Sequence, residues 1–128
     1  FYKKYLKKYD YKISQAISRN EFFSYQNIMQ SKLVVGHIST MLREAIAFDK
    51  KVLQCNFTGH PDIIFPGNEL CILKNSSFDL FEKKVLEILN MNKEDYFKKL
   101  GEQKKIIMNS SKNTAELIRK KIKDYLIK

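Results

Sequence analysis

The run from Ser31 to Ala47, S-K-L-V-V-G-H-I-S-T-M-L-R-E-A-I-A, constrains the fold more than any other part of the chain. Leu33 to Gly36 is a short apolar stretch of the buried-strand type. A tight turn follows, then the hydroxyl pair Ser39-Thr40, then a helical pattern from Thr40 to Phe48. After the brief Asp49-Lys50 link comes a second strand pattern, Lys51 to Asn56. A parallel strand feeding a helix points the helix's first backbone N–H groups at one place. Such a place attracts a phosphate or another anion.

The rest of the chain extends this unit. Phe1, Tyr2, Tyr5, Leu6 and Tyr9 share one side of an expected helix, with lysines at 3, 4, 7 and 8 on the other. That stripe suits packing on a sheet, and it also suits resting on an anionic membrane surface. Tyr11 to Ile17 reads as a strand, and Asn20 as the N-cap of a short helix through Gln30. Thr58 to Asn68 is a loop punctuated by Gly59, Pro61, Pro66 and Gly67, and Glu69 to Leu73 is a further strand. Phe78 to Leu89 is a helix with Phe78, Phe81, Val85 and Leu89 on one face. Asn92 with Asp95 caps a helix expected to reach Met108, and Asn113 with Glu116 repeats the device for a last helix. The expected architecture is α/β: a partial Rossmann-like three-layer sandwich with a mainly parallel sheet of about four strands, followed by C-terminal helices. The core is expected over 11–90 and a helical tail over 91–128, in a single domain.

Charge narrows the partners less than its size suggests. The chain has 24 Lys+Arg against 14 Asp+Glu, a net +10, with lysines spread throughout and a general richness in Asn, Ile, Tyr and Phe. Coding bias accounts for that mixture without an anionic partner, although a basic surface also favours nucleotides, nucleic acid or anionic lipid. Cys55 and Cys71 lie in apolar runs without CxxC spacing and read as small core residues of a reducing compartment. With His37 and His60 their spacing is too scattered for a metal set, so no metal is expected. No long apolar span or secretory leader is visible, which leads to an expected cytoplasmic location, peripheral to the membrane at most. Phe1 stands where an initiator Met would be, and the chain is expected to be part of a longer polypeptide.

In a parallel sheet, ligands sit at the carboxyl edge of the strands. That rule selects three loops: Gly36 to Ser39, Asn56 to Gly59, and Lys74 to Ser77. Gly36 allows a tight turn or a close approach of ligand to backbone, and Ser39 or Thr40 caps the helix beside it. A docked phosphate would use these hydroxyls and the N–H groups of Met41 and Leu42, aided by the helix dipole. Glu44, four residues after Thr40, would accept from sugar hydroxyls; otherwise it is a solvated charge with Arg43 as a surface partner. His37 is either a proton-transfer group or a structural hydrogen-bonder. Asn56, Thr58 and Gly59 either contact a polar ligand or form a capped turn. P-loop, GxGxxG, GxSxG and HExxH patterns do not occur, which removes support for P-loop NTP hydrolysis, hydride transfer and serine hydrolysis.

Taken together, Ser31-Lys32-Leu33-Val34-Val35-Gly36, Ser39-Thr40, Arg43-Glu44-Ala45-Ile46 and Lys50-Lys51-Val52-Leu53 resemble the nucleotide-sugar half of GT-B glycosyltransferases. The likeness is to transferases of bacterial surface-carbohydrate synthesis, and it covers Ile17 to Leu89. It implies a two-domain enzyme, with the donor held between Rossmann-like halves and the acceptor-binding N-terminal domain lying outside this chain. On that resemblance Gly36, Ser39 and Thr40 bind the donor diphosphate, and Glu44, Asn56, Thr58 and Gly59 contact ribose or the transferred sugar. His37 is the catalytic candidate. The nucleotide-sugar is a substrate, and no separate cofactor is implied. The chain alone is expected to be inert even where its parent is active. Asp49 departs from the Gly more usual before the second strand, and Gly36-His37-Ile38 lacks the acidic residue of the glycerophosphotransferase version.

Two other readings come from different classes. A basic non-enzymatic module that binds nucleic acid would use the N-terminal aromatics interleaved with lysine, and would bind oligonucleotides with steep salt dependence. A receiver-like regulatory domain would need an acidic cluster at the strand ends, which this chain does not have.

Overall fold

The computed structural model describes residues 23–60, 63 and 65–107, together with 116, 119, 120 and 122. In order these form α1 (Phe23–Gln30), β1 (Leu33–Gly36), α2 (Thr40–Ala47), β2 (Lys51–Cys55), β3 (Ile72–Leu73), α3 (Phe78–Asn90), α4 (Lys93–Leu100) and α5 (Gln103–Ile107). The expected Phe1–Tyr9 helix, the Tyr11–Ile17 strand and the Asn20 cap lie outside the described residues. Glu116, Arg119, Lys120 and Ile122 are helical, as read for the last helix.

The architecture is α/β, with an open three-stranded sheet in the order β1-β2-β3. Both pairings are parallel, Leu33 opposite Lys51 through Gly36 opposite Gln54, and Gln54 opposite Ile72. This is compatible with part of a Rossmann-like fold. The central strand is covered on both faces: Val52 and Leu53, adjacent and therefore pointing opposite ways, are both fully buried. β1 differs from the buried strand expected. It is an edge strand among the described residues, none of its residues is fully buried, and Val35 is exposed.

β3 is shorter than the Glu69–Leu73 strand expected, for two reasons. Asn68 folds the preceding residues into a turn, its Oδ1 accepting from Leu70 N–H at 3.1 Å while its carbonyl accepts from Cys71 N–H at 3.1 Å. Further back, a side chain occupies the pairing edge. The N–H groups of Gln54 and Asn56 reach Cys71 and Leu73 of the β3 segment, each at 2.8 Å. At Val52 the partner is instead the Tyr96 hydroxyl, which accepts from the Val52 N–H at 3.2 Å and donates to its carbonyl at 2.9 Å. One phenol thus satisfies a backbone donor and acceptor that a longer β3 would have paired.

The helices differ from expectation at their ends. α3 buries Ile88, with Phe81 and Val85 half-buried against the core, whereas Phe78 and Leu89 are exposed. Its apolar face is therefore rotated from the one read in the sequence. The single helix expected from Asn92 to Met108 is two helices, broken at Gly101, whose φ of 61° and ψ of −140° form a conformation that is open to glycine and strained for other residues. The Asn92–Asp95 cap forms as read: Asn92 Oδ1 accepts from Asp95 N–H at 2.7 Å, and its Nδ2 donates to the Asp95 carboxylate at 2.8 Å.

Two consecutive lysines tie helix ends to the amino edge of the sheet. Lys50 Nζ donates to the Met29 and Ser31 carbonyls at the end of α1 (2.5 and 3.4 Å). Lys51 Nζ donates to the carbonyls of Ile88, Leu89 and Met91 at the end of α3 (2.6, 3.1 and 2.7 Å). Both ammoniums meet the negative ends of helix dipoles. Partial burial, with Lys32 nearby, holds the Lys51 pKa below the ordinary lysine value.

Candidate functional site

The Ser39-Thr40 start of α2 stands beside the carboxyl ends of β1 and β2. Ser39 caps the helix, its Oγ accepting from Met41 N–H at 3.2 Å while its carbonyl accepts from Leu42 N–H at 3.2 Å. The Met41 and Leu42 amides are therefore engaged by the cap, not left open as the sequence suggested. An anion here would draw on the exposed hydroxyls of Ser39 and Thr40, and on the Met41 amide if the Ser39 hydroxyl turned outward.

Next to that cap is a pocket of about 160 Å³ lined by Ser39, Thr40, Arg43, Gln54, Ile63 and Phe65, with Ile38 at its margin. Arg43 brings a permanent positive charge to the first turn of α2, three residues after Thr40 on the same face. Gln54 closes the pocket from within β2. Its Nε2 donates to the carbonyls of His37 (3.0 Å) and Ile63 (3.3 Å), tying the β1 turn to the loop after β2. Hydroxyls, guanidinium and helix N-terminus make this the place at the carboxyl edge best suited to an anion.

The other residues singled out from sequence are distributed around this pocket. Glu44 turns away toward α1, where its carboxylate accepts from the Tyr25 hydroxyl at 2.5 Å, so the structure does not bring it to Ser39 and Thr40. That bond raises the Tyr25 pKa. His37 is exposed, with Nδ1 2.6 Å from the Cys55 carbonyl. Nδ1 must carry the proton to bond there, which leaves Nε2 of the neutral ring as the basic nitrogen. Asn56 is buried and used by its own loop: Nδ2 donates to the Ile63 carbonyl at 3.1 Å, and Oδ1 accepts from Thr58 Oγ1 at 3.1 Å. Thr58 Oγ1 accepts in turn from the His60 N–H at 3.3 Å, and Gly59 has φ 65°. This is the capped turn weighed for that segment, and these three residues line no part of the pocket. Gly36 is the last residue of β1, with ordinary backbone angles and room for a Cβ, which would sit 3.4 Å from Leu42. Neither a left-handed turn nor a tight contact calls for glycine there.

Arg43, Gln54, Ile63 and Phe65 complete the pocket, and the sequence signals for two of them are faint but real. Arg43 shares a helix face with Thr40, and Gln54 is the single uncharged polar residue inside the K-V-L-Q-C strand. Ile63 and Phe65 arrive through the course of a loop that no local pattern specifies.

A larger cavity of about 440 Å³ at the amino edge is bordered by Lys32, Lys50, Lys51 and Lys93. Three of these four lysines are already engaged within the protein. Lys50 and Lys51 are spent on helix carbonyls, and Lys93 pairs with Asp49 at 3.5 Å. Among the described residues no three His, Cys, Asp or Glu side chains gather to hold a metal ion, and no helix is long and apolar enough to cross a membrane. Burial pushes the pKa of the Cys55 and Cys71 thiols up from the ordinary cysteine value. Compared with protein-family models, curated proteins and solved structures, the chain matches none.

Proposed function

We propose that the carboxyl-edge pocket holds the diphosphate of a nucleotide-activated sugar, and that the chain is the donor-binding portion of a glycosyltransferase. The transferred sugar would go to a surface polysaccharide or a related acceptor, on the cytoplasmic side, with any membrane contact peripheral. The observation that supports this reading is the convergence of Ser39, Thr40 and Arg43 on one pocket at the ends of two parallel strands. On the same reading the three strands are part of a Rossmann-like sheet of about four strands in a three-layer sandwich. A preceding domain would supply the acceptor site.

Catalysis would be electrostatic. As the bond to the sugar breaks, charge grows on the leaving nucleoside diphosphate, and donors fixed in place beforehand stabilise that charge without reorganising. The α2 dipole is fixed in this way, while the exposed Arg43 and the Ser39 and Thr40 hydroxyls would be ordered by the ligand, and the proposal calls on no metal. His37, an exposed residue whose Nδ1 is held by the Cys55 carbonyl, is the candidate for proton transfer with the acceptor through Nε2. Glu44 takes part in sugar contact only by exchanging Tyr25 for the ligand.

A panel of UDP, GDP and CMP species and their sugar conjugates, followed by amide chemical shifts, tests the proposal. Binding should move the resonances of Ser39, Thr40 and Arg43, and Arg43→Ala should weaken it about tenfold or more, as expected for a charge-assisted bond. Oligonucleotide binding with a steep salt dependence, and no shift at these residues with any nucleotide, would replace this reading with the nucleic-acid module.

A further inference from the structure

Gln54 carries a hydrogen-bonding function that nothing among the described residues uses. It is 4% exposed, and its Oε1 is the buried side-chain polar atom without a partner among the described residues. The amide cannot be turned over to cure this. Nε2 already faces the His37 and Ile63 carbonyls, and the reverse orientation would set oxygen against both. Native proteins leave few buried acceptors unpaired, and those that persist call for a partner. Gln54 lines the pocket beside Ser39, Thr40 and Arg43, which makes a ligand donor the fitting one.

We propose that Gln54 is a specificity-determining residue: its Oε1 accepts a hydrogen bond from a hydroxyl on the group attached to the bound phosphate. This rests on the anion reading of the same pocket. The volume, about 160 Å³, is below the 300 Å³ or more typical of pockets that enclose a whole ligand, so only one end of a donor enters. That end is a phosphate with the polyhydroxylated ring next to it. Oε1 is closed to bulk water, so the hydroxyl reaches it only when side chains around the pocket shift to admit it. An alkyl phosphate of the same size would leave the acceptor unpaired, and sites built to bond a hydroxyl reject analogues that have none.

The test is calorimetric titration of the full chain with inorganic phosphate, glucose 1-phosphate and cyclohexyl phosphate. The last two share ring size and charge and differ in their hydroxyls. Glucose 1-phosphate should bind at least about tenfold more tightly than cyclohexyl phosphate. Gln54→Met should bring that ratio near one by weakening glucose 1-phosphate alone, whereas Arg43→Ala should weaken all three. If Gln54→Met does not fold, the ratio measured on the unmutated chain decides. Equal binding of the two ring phosphates overturns the Gln54 assignment and leaves the anion site standing; binding of none of the three overturns both.

Discussion

Replacing Tyr96 by Phe removes one oxygen and isolates two backbone groups. The hydroxyl is the partner of both the Val52 N–H and the Val52 carbonyl, inside a residue that is fully buried. In a parallel strand the amide and carbonyl of one residue face the same neighbour, and at Val52 that side is filled by Tyr96 instead of β3. The phenylalanine ring refills the space, so the packing change is small and the cost is one of hydrogen bonding. Each buried group left unpaired destabilises by about 1–3 kcal/mol. Part is offset because the phenol no longer has to be desolvated, so about 3 kcal/mol is expected. Against a total of about 5–15 kcal/mol for a domain, that is a large fraction. Urea unfolding followed by far-ultraviolet circular dichroism should show the midpoint lowered by about 1–2 M at an unchanged slope. A midpoint shift below about 0.3 M would refute the bracing of β2 by this side chain. The Tyr96 pKa is raised chiefly by burial, so the group stays neutral and the pairing is insensitive to pH across the physiological range.

Two further predictions concern backbone positions near the strand ends. A Cβ at Gly67 would lie 2.3 Å from Cys71 Sγ and 3.0 Å from the Phe65 ring, so Gly67→Ala should destabilise by about 1–3 kcal/mol in the same denaturation assay; a neutral result would refute the close approach. Asp49 is held below the ordinary carboxylate range by its hydrogen bond from Lys104 at 2.6 Å, with Lys93 adding attraction. A depressed folded pKa means its stabilisation is present above the unfolded value of about 3.9 and lost as pH falls through the folded value. Thermal midpoints measured from about pH 2 to 6 should therefore show a shallower acid limb for Asp49→Asn, which keeps tolerance of the left-handed backbone; an identical limb would rule the ion pairs out as a source of acid sensitivity.

Asp49 also illustrates how departures from a pattern are resolved by coordinates. The resemblance places glycine more often at this position, and φ here is 56°, the left-handed region where glycine is favoured. The short link between α2 and β2 requires that turn whatever residue fills it. Asp49 accepts the strain and makes ion pairs with Lys93 and Lys104, residues so far along the chain that no local reading connects them.

What was legible in the sequence is what short-range physics dictates. Apolar runs and periodicity marked β1, α2, β2 and α3 to within a residue or two, and the Ser39 and Asn92 caps follow from side chains that bond amides two or three residues on. The break at Gly101 was not read from the sequence, where one helix was expected to run on to Met108, although a glycine there is a local signal that could have marked it. The tertiary structure alone decided which edge groups are paired and which side chains share the pocket. Tyr96 reaching Val52, Lys51 reaching the end of α3, Glu44 turning to Tyr25, and Arg43 meeting Gln54 each depend on how whole elements pack. Periodicity assigns a residue to a face of its own helix or strand; the partner on that face is selected by the burial and hydrogen-bond demands of residues distant in the chain.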